Sequence, residues 1–234
     1  MKYFFTIILF LAITQNLISQ SVEFGVKGGA SFTSVLFEPA IEQKSMLNYH
    51  GGIGLRFLNE KNAGVQLELN YALRSYREDI DSVNYQGRNY KYLEIPFLMH
   101  LQFGKSKVKY YVHFGPHLGY ALSAEREEMQ DGEVTIEAYE LLPNRDNRWD
   151  YGLAFGFGIG YDIGPGKLQA EGRYMYSFGN IEKSLLVTRT SQPINIQLSV
   201  GYFFPIHTIS LGKLSPKNLF SKPKVEEIIE EEDK

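Results

Sequence analysis

The sequence predicts an all-β protein: an eight-stranded antiparallel up-and-down transmembrane β-barrel with long external loops, tight periplasmic turns and a charged C-terminal tail. Three observations lead to this fold class. Large apolar side chains alternate with small or polar ones, long connections alternate with short ones, and the number of predicted strands is even. All three features are typical of barrels that cross a membrane with strands.

The alternation is clearest in residues 149–180, which form a predicted hairpin around the Gly-Pro-Gly turn at 164–166. One face of this hairpin carries bulky apolar groups, among them Tyr151, Leu153, Phe155, Phe157, Ile159, Tyr161, Leu168, Tyr174, Tyr176 and Phe178. The other face carries glycines together with Glu171 and Arg173. Since successive side chains of a strand point to opposite faces, the hairpin is apolar outside and small or charged inside.

Six further segments show the same period of two, namely residues 23–32, 49–57, 65–74, 90–103, 108–120 and 193–204. Long connections are predicted at 33–48, 75–89, 123–148 and 179–191, and tight turns at 59–63, 104–107 and 164–166. The two kinds alternate along the chain, so all long loops lie at one end of the barrel. A soluble barrel such as a lipocalin has no reason to sort its loops by side and would turn its charges outward.

The composition narrows the function classes. The chain has no cysteine, which excludes disulfides, thiol catalysis and a lipid-modified cysteine. Its formal net charge of −3 comes without a basic cluster, so no nucleic-acid partner is predicted.

Three regions are predicted along the chain: a signal peptide at residues 1–19, the barrel at 20–204 and a periplasmic, flexible tail at 205–234. One lysine followed by a short apolar run is typical of a cleaved export signal. In the tail, Pro205, Pro216 and Pro223 are expected to break any continuing strand, and lysines precede an acidic end. The tail is interpreted as solvated; the alternative is a docking segment for a periplasmic partner, with Val225, Ile228 and Ile229 as its apolar contact.

The inward face of the predicted strands carries charges of both signs. An eight-stranded barrel is just wide enough for side chains to fill it, so a general porin is not predicted. Buried charges must be paired, and the sequence therefore predicts an interior polar network. Its members are Lys27, Arg56, Glu68, Glu94, His113, His117, Glu171 and Arg173, with Glu23, Arg74, His100, Lys109 and Asp150 as further inward candidates.

No metal, cofactor or catalytic site is predicted. His113 and His117 lie four residues apart on one strand face, and the roughly 13 Å between them is too far for one metal ion. The glycines of residues 156–160 lie within a strand with no helix after them, so they do not form a dinucleotide loop. An enzyme with Asp150 and His117 recruited at the outer rim is the least favoured alternative.

Aromatic residues near the strand ends are expected to form the interfacial girdles of the barrel: Tyr90, Tyr110, Tyr120, Trp149, Tyr161, Tyr174 and Tyr202. Tyr202 and Phe204 close the last predicted strand. They resemble the aromatic terminal-strand signal that the barrel-assembly machinery reads.

Several segments resemble the PorT-type outer-membrane β-barrel proteins of Bacteroidota. They are FGVKGGASFT, YLEIPFLMHLQFG, FGPHLGYALS, DYGLAFGFGIGYDIG and LQAEGRYMYSFGNI, and YLEIP and the Arg-Tyr strand ending in Gly-Asn-Ile are the most specific of them. The resemblance covers the barrel but neither the tail nor residues 123–148. It implies residence in the outer membrane of a Gram-negative, Bacteroidota-like bacterium, and the namesake's role implies a connection with protein secretion.

The function predicted from these observations is a non-enzymatic outer-membrane scaffold or binding component, accessory to protein secretion or surface assembly. The alternatives are a narrow channel or lipid- or small-solute-handling barrel, and an outer-membrane enzyme. The expected partners are outer-membrane lipids, the barrel-assembly machinery during biogenesis, and a periplasmic or surface protein bound through the tail or residues 123–148.

Overall fold

The structure, a computed structural model, is a closed ring of eight antiparallel strands with a ninth strand outside it. It describes residues 21–38, 43–59, 62–81, 84–104, 106–181, 183 and 190–207. The strands are β1 (Ser21–Glu38), β2 (Gln43–Asn59), β3 (Ala63–Asp79), β4 (Tyr85–Phe103), β5 (Val108–Gln130), β6 (Glu133–Tyr139), β7 (Trp149–Ile163), β8 (Gly166–Ser177) and β9 (Thr190–His207). Within these ranges, no helix is long and apolar enough to cross a membrane.

Each ring strand pairs with its neighbour along the chain, and β9 pairs with β1 to close the ring. β5 pairs with both β4 and β7, so β6 is not part of the ring. β6 forms a hairpin with residues 124–130 of β5, which lie beyond the residues that pair with β7. The up-and-down topology and the eight ring strands predicted from the sequence are confirmed.

The two faces of the wall differ as the alternation predicts. Phe155 and Phe157 on β7 are exposed on the outside, whereas Glu171 and Arg173 on β8 are buried inside. Most large apolar residues on the outside of the ring are at least 37% exposed, so the outer wall is a continuous apolar surface of a kind that soluble proteins avoid.

The strands at one end of the barrel are longer than predicted. This outer end carries the β1–β2, β3–β4, β5–β7 and β8–β9 connections, while at the opposite, inner end two to four residues separate consecutive strands. The stretches 33–48 and 75–89, predicted as loops, are largely strand. The period is hard to see there because each face is mixed. Val35 and Tyr76 are buried on the inner face together with the polar Thr33 and Asn48, whereas Leu36 and Leu47 are exposed on the outer face.

The predicted strand break at Pro205 is wrong, because β9 continues to His207. Val22 pairs with His207 while Glu23 pairs with Pro205, which leaves Ile206 as the extra residue of a bulge. Proline cannot donate a ladder hydrogen bond, and a bulge is one of the few places in a sheet where it is tolerated. The predicted signal peptide and residues 208–234 of the tail lie outside the described residues.

Two adjacent glycines on β1 show how tightly the wall curves. A Cβ atom on Gly29, which faces inward, would lie 1.9 Å from the carbonyl oxygen of Leu198 on β9. A Cβ atom on Gly28, which faces outward, would lie 3.4 Å from the carbonyl oxygen of His50, an ordinary contact. Glycine at position 29 therefore lets β1 and β9 approach each other closely at the seam of the barrel.

Gly29→Ala should destabilise the barrel by about 1–3 kcal/mol, since the new methyl group meets backbone that cannot move aside. Urea unfolding in lipid vesicles, followed by the fluorescence of the single tryptophan, Trp149, measures this free energy. Gly28→Ala is the matched control and should change the unfolding free energy by less than about 0.5 kcal/mol. Equal effects of the two substitutions would contradict the close approach at Gly29.

Candidate functional site

The centre of the barrel is organised around the carboxylate of Glu68 on β3. Arg173 on β8 donates two hydrogen bonds to it, with Nη1 and Nη2 at 2.8 and 2.7 Å from Oε2 and Oε1. Lys27 on β1 lies 3.1 Å from Oε2, and the amides of Gln66 and Asn70 also donate to this carboxylate. Glu68 is 1% exposed, so this set of donors replaces its hydration shell.

A second carboxylate, Glu171, extends this cluster. Arg173 Nε donates to its Oε1 at 2.6 Å, and Lys27 Nζ lies 3.8 Å from its Oε2. His113 Nδ1 lies 3.4 Å from Oε2, and His113 Nε2 in turn is 2.7 Å from His100 Nδ1. The two imidazoles therefore continue the polar network from β8 across to β4.

The inner end of the lumen is filled by Arg56 and Phe203. Arg56 donates to Glu23 at 2.9 Å, to Gln66 at 2.7 Å and to Gln169 at 2.8 Å. Its guanidinium carbon lies 4.2 Å from the centre of the Phe203 ring, a cation–π contact. Phe203 points inward and is 3% exposed, so charge and ring together close this end.

A second ion-paired cluster lies closer to the outer end. Arg74 on β3 contacts Glu94 Oε1 at 2.7 Å and Asp150 Oδ2 at 2.5 Å. Gln197 donates to Glu94 Oε2 at 3.2 Å, and His117 Nε2 lies 3.5 Å from Asp150 Oδ2. All five side chains are buried.

The outer mouth is closed by an aromatic cluster, here called the mouth cluster. Its buried members are Val35, Tyr76, Tyr90, Tyr92, Ala121, Ala124, Leu141 and Ile181. Arg74 packs on the ring of Tyr92 at 4.7 Å, which joins the mouth cluster to the ion pairs below it. Two interior cavities, one beside Arg74 and Tyr92 and one beside Lys27 and Phe203, measure about 10 Å³ each, about the room that one water molecule needs.

The loop after β6 is tied down on this cluster through Asp146, which is 1% exposed. Its carboxylate accepts hydrogen bonds from Tyr139 Oη at 3.0 Å, the Leu142 amide at 2.8 Å and Arg145 Nε at 3.2 Å. Arg88 and Arg145 each lie within 4.7 Å of the centre of the Tyr139 ring. Burial, with the hydrogen bond to Asp146, raises the pKa of the Tyr139 phenol to about 12.

The hairpin of β5 and β6, here called the arm, rises from this base. It comprises residues 123–139, and the register runs from Ala124 opposite Tyr139 to Gln130 opposite Glu133. The sequence predicted only an irregular acidic loop here, but β5 continues to Gln130 and pairs with β4 as far as Tyr85 opposite Met129. The arm is therefore an ordered extension of the barrel wall.

All eight residues of the predicted interior network lie inside the barrel and are at most 9% exposed. The structure divides them between the two clusters: Glu94 and His117 belong with Arg74, and the other six lie in the connected network around Glu68, Glu171 and Arg56. His113 and His117 thus have different partners. Among the described residues, no group of three or more His, Cys, Asp or Glu side chains is arranged to hold a metal ion.

Two predicted placements need correction. Lys109, expected inside, lies at the inner rim, where Nζ donates to the carbonyl of Gly104 at 2.9 Å. Tyr90, expected in a girdle, is buried in the mouth cluster, because it shares the inward face of β4 with Tyr92. Asp150 and His117 lie inside as predicted; they are buried beside Arg74 and do not form the open rim site that the enzyme alternative requires.

The other predicted girdle residues lie on or near the outer surface. Tyr110, Trp149, Tyr161 and Tyr174 are exposed there, and Tyr120 and Tyr202 are half-buried. In the predicted assembly signal, Phe204 packs edge-on against Phe24, and Tyr202 donates to the carbonyl of Ile163.

The uncharged partners of the network were missed by sequence reasoning. Gln66, Asn70 and Gln169 each bind a buried charge. Their signal is present in the sequence, since each occupies an inward position of its strand next to a predicted charge. The inward direction of Phe203 follows from the same period, because Tyr202 and Phe204 face outward.

A groove of about 590 Å³ lies on the outer wall, outside the lumen. Tyr110, Phe157, Ile159, Leu198 and Val200 are among its lining residues. Its lining is mostly apolar and belongs to the exterior of the barrel, although Glu171 and Ser199 also contribute to it.

A closed strand ring with an apolar exterior, a charge-filled interior and long strand extensions at one end defines a small transmembrane β-barrel. Residues 18–183 match the family model described as outer membrane protein beta-barrel domain. The chain belongs to this family, and it is therefore an outer-membrane barrel of the Gram-negative type. In such barrels the short turns face the periplasm, so the outer end with the arm is extracellular.

No curated protein matches the chain. Among solved structures, Ail of Yersinia pestis, crystallised with the heparin analogue sucrose octasulfate, is 16% identical with a TM-score of 0.43, covering 79% of this chain and 99% of Ail. Neisserial surface protein A is 16% identical with a TM-score of 0.42, covering 76% and 95%. OprG of Pseudomonas aeruginosa is 12% identical with a TM-score of 0.42, covering 80% and 98%. At these identities the similarity extends no further than the type of fold.

Glu68→Gln should lower the free energy of unfolding by about 3–5 kcal/mol, because it leaves two buried cations, Arg173 and Lys27, to share the single carboxylate of Glu171. Urea unfolding in vesicles measures the change. The control is Glu125→Gln, which removes the exposed Lys91–Glu125 ion pair of 2.6 Å and should cost less than about 1 kcal/mol. If the two variants unfold at the same urea concentration, Glu68 is not the centre of the network.

Asp146→Ala should loosen the loop below the arm, since three donors lose their buried acceptor. A buried donor left without a partner costs about 1–3 kcal/mol. Trypsin added outside sealed vesicles should then cut after Arg145 or Arg148 about tenfold faster than in the wild type, as local opening governs cleavage. Tyr139→Phe, which removes one donor and keeps the ring, should give a smaller increase.

The same loop should loosen at high pH. The pKa of Tyr139 is raised from an ordinary value of about 10. Its contribution to stability is therefore complete below pH 10 and is lost as the pH rises towards 12. If trypsin cleaves the Asp146→Ala variant no faster than the wild type, the role assigned to this carboxylate is wrong.

Proposed function

We propose that this protein is a non-enzymatic outer-membrane barrel that acts as a scaffold or binding component, with recognition at its extracellular arm. The observation that carries the proposal is the filled lumen. Two ion-paired clusters, the mouth cluster and the Arg56–Phe203 pair follow one another along the barrel axis. A barrel whose interior is occupied in this way works through its exposed ends.

The extracellular end offers more ordered surface than the periplasmic turns. The loop after β6 is joined to the β8–β9 connection by hydrogen bonds from Asn147 N to Ile181 O at 2.7 Å and from Lys183 N to Arg145 O at 2.7 Å. The arm therefore stands on a fixed base. Recognition by loops and hairpins on a rigid scaffold is a common use of such barrels.

The finer part of the proposal concerns family and setting. The resemblance to PorT-type proteins supports a Bacteroidota-like host and a role accessory to protein secretion or surface assembly. We propose that residues 1–19 form a cleaved export signal, that Tyr202 and Phe204 serve the barrel-assembly machinery, and that lipids cover the outer wall. A periplasmic partner for the tail, residues 205–234, is part of the same proposal.

The alternatives make different demands on the interior. A narrow channel would need the ion-paired clusters to move aside, and it would produce discrete conductance steps in planar bilayers. An enzyme based on His117 and Asp150 would need access to a pair that is buried beside Arg74. The buried state of this pair supports a non-enzymatic function.

Shortening the arm should abolish partner binding and leave the barrel intact. Replacing residues 127–136 by Asn-Gly closes the hairpin at Arg126 and Glu137, which face each other in the register. Wild-type and shortened proteins are purified from native outer membranes under mild conditions, and the co-purifying proteins are identified. Proteins recovered at least about tenfold less with the shortened arm are the expected partners.

A heat-dependent gel shift verifies that the shortened barrel is folded. Truncation after His207 is the parallel test for the tail. If the same proteins co-purify with all three forms, or if the wild type conducts ions in steps, the binding function proposed for the arm is wrong.

A further inference from the structure

The strand β6 has a free edge. Each of the eight ring strands is paired on both sides, whereas β6 pairs with β5 alone and ends the sheet of the described residues. A free edge presents unpaired N–H and C=O groups, to which another chain can add as a further strand.

The turn of the arm determines which groups of β6 face the free side. Asp131 and Gly132 form the turn with φ of 52° and 86°, which is the two-residue turn of type I′. The flanking pair, Gln130 and Glu133, is then hydrogen-bonded within the hairpin, and hydrogen-bonded and open pairs alternate from there. The backbone groups of Val134, Ile136 and Ala138 therefore point away from β5.

The side chains of β6 add a charge pattern to this edge. Glu133 and Glu137 lie on one face of the strand, and Val134 and Ile136, which are 52% and 59% exposed, lie on the other. Neither glutamate has an ion-pair partner among the residues that the structure describes. Residues 123–140 contain seven acidic residues, at positions 125, 127, 128, 131, 133, 137 and 140, against one basic residue, Arg126.

Two of the usual protections of an edge are missing from β6. Natural edges are often blocked by proline or lysine, and the sequence EVTIEAY has neither. Its Val, Thr and Ile favour a strand. Its glutamates disfavour pairing with a second copy of β6, because an antiparallel pair of copies would bring like charges together.

We propose that β6 binds an extended segment of an extracellular partner protein by strand addition, and that this segment carries lysine or arginine at alternate positions. The basic side chains face Glu133 and Glu137, and the intervening apolar side chains cover Val134 and Ile136. The inference rests on the proposed function and specifies the chemistry of the partner at the arm.

The test uses the full-length protein in lipid nanodiscs and a fluorescein-labelled seven-residue peptide in which lysine alternates with valine. Binding is measured by fluorescence anisotropy. Ile136→Pro removes an N–H group from the free edge and keeps the pairing with β5, so the Kd should rise at least about tenfold. Ile136→Val, the matched control, keeps the N–H group and the apolar contact and should change the Kd less than about threefold.

Two further measurements distinguish strand addition from simple charge attraction. The double variant Glu133→Gln and Glu137→Gln should weaken binding and reduce its dependence on salt. A peptide of the same charge that is N-methylated at alternate residues should bind at least about tenfold more weakly, because it cannot complete the ladder. The heat-dependent gel shift verifies that each variant barrel is folded.

The proposal is overturned if Ile136→Pro binds as well as Ile136→Val, or if the N-methylated peptide binds as well as the parent peptide. It is also overturned if the protein forms dimers in nanodiscs that Ile136→Pro dissociates, since a second copy would then occupy the edge. Should strand addition fail while the shortened arm still loses its co-purifying proteins, binding by the arm stands and only the mode of recognition is wrong. Should both fail, the proposed function is wrong as well.

Discussion

Compensation of buried charge is the constraint on which this barrel depends. Because the outer wall is apolar, the charged side chains of the eight strands lie in the lumen. Each charge there must have partners within hydrogen-bonding distance. Glu68 meets this requirement by accepting six hydrogen bonds, from Arg173, Lys27, Gln66 and Asn70. The glycines of the wall limit how many side chains the lumen must hold. Strands that approach as closely as β1 and β9 leave room for a side chain only at some inward positions.

The filled lumen and the arm are two consequences of the same architecture. Because the mouth cluster caps the ion pairs, the wall continues beyond them as a packed structure, and β5 can extend to Gln130 with support from β4. The arm thereby presents a fixed strand edge instead of a mobile loop. Binding to a preformed edge costs less conformational entropy than binding that must first order a loop.

The sequence predicts the ring and the contents of the lumen well, since both follow from the period of two. Phe155 and Arg173 could be assigned to opposite faces without coordinates, and the eight network residues could be named. The ends of the strands were harder to predict. Val35 and Tyr76 continue the inward face beyond the apolar band, but both are apolar, and the outward residues beside them include the apolar Leu36 as well as the polar Arg77. The contrast between an apolar outer face and a polar inner face, on which the prediction relies, is therefore lost.

The partners within the network were beyond prediction because they depend on the three-dimensional closure of the ring. Sequence spacing places His113 and His117 on one face, yet the choice of His100 for one and Asp150 for the other depends on the register of β4 and β7. The arm escaped prediction for a related reason. Its many acidic residues favoured the prediction of a loop, although Val134, Ile136 and Ala138 alternate with polar residues; pairing of β5 with β6 across the Asp-Gly turn makes it a hairpin.

The positions of the charged partners along the chain have a consequence for assembly. Glu68 and Arg173 are separated by 105 residues, and Lys27 lies on the first strand of the ring, which closes against the last. An unclosed sheet would carry these charges into the membrane without their partners, at a high energetic cost. Insertion and closure should therefore occur together, with the seam between β1 and β9 forming late because it joins the most distant parts of the chain. The charges that fill the finished lumen thus also disfavour every half-built form of the barrel.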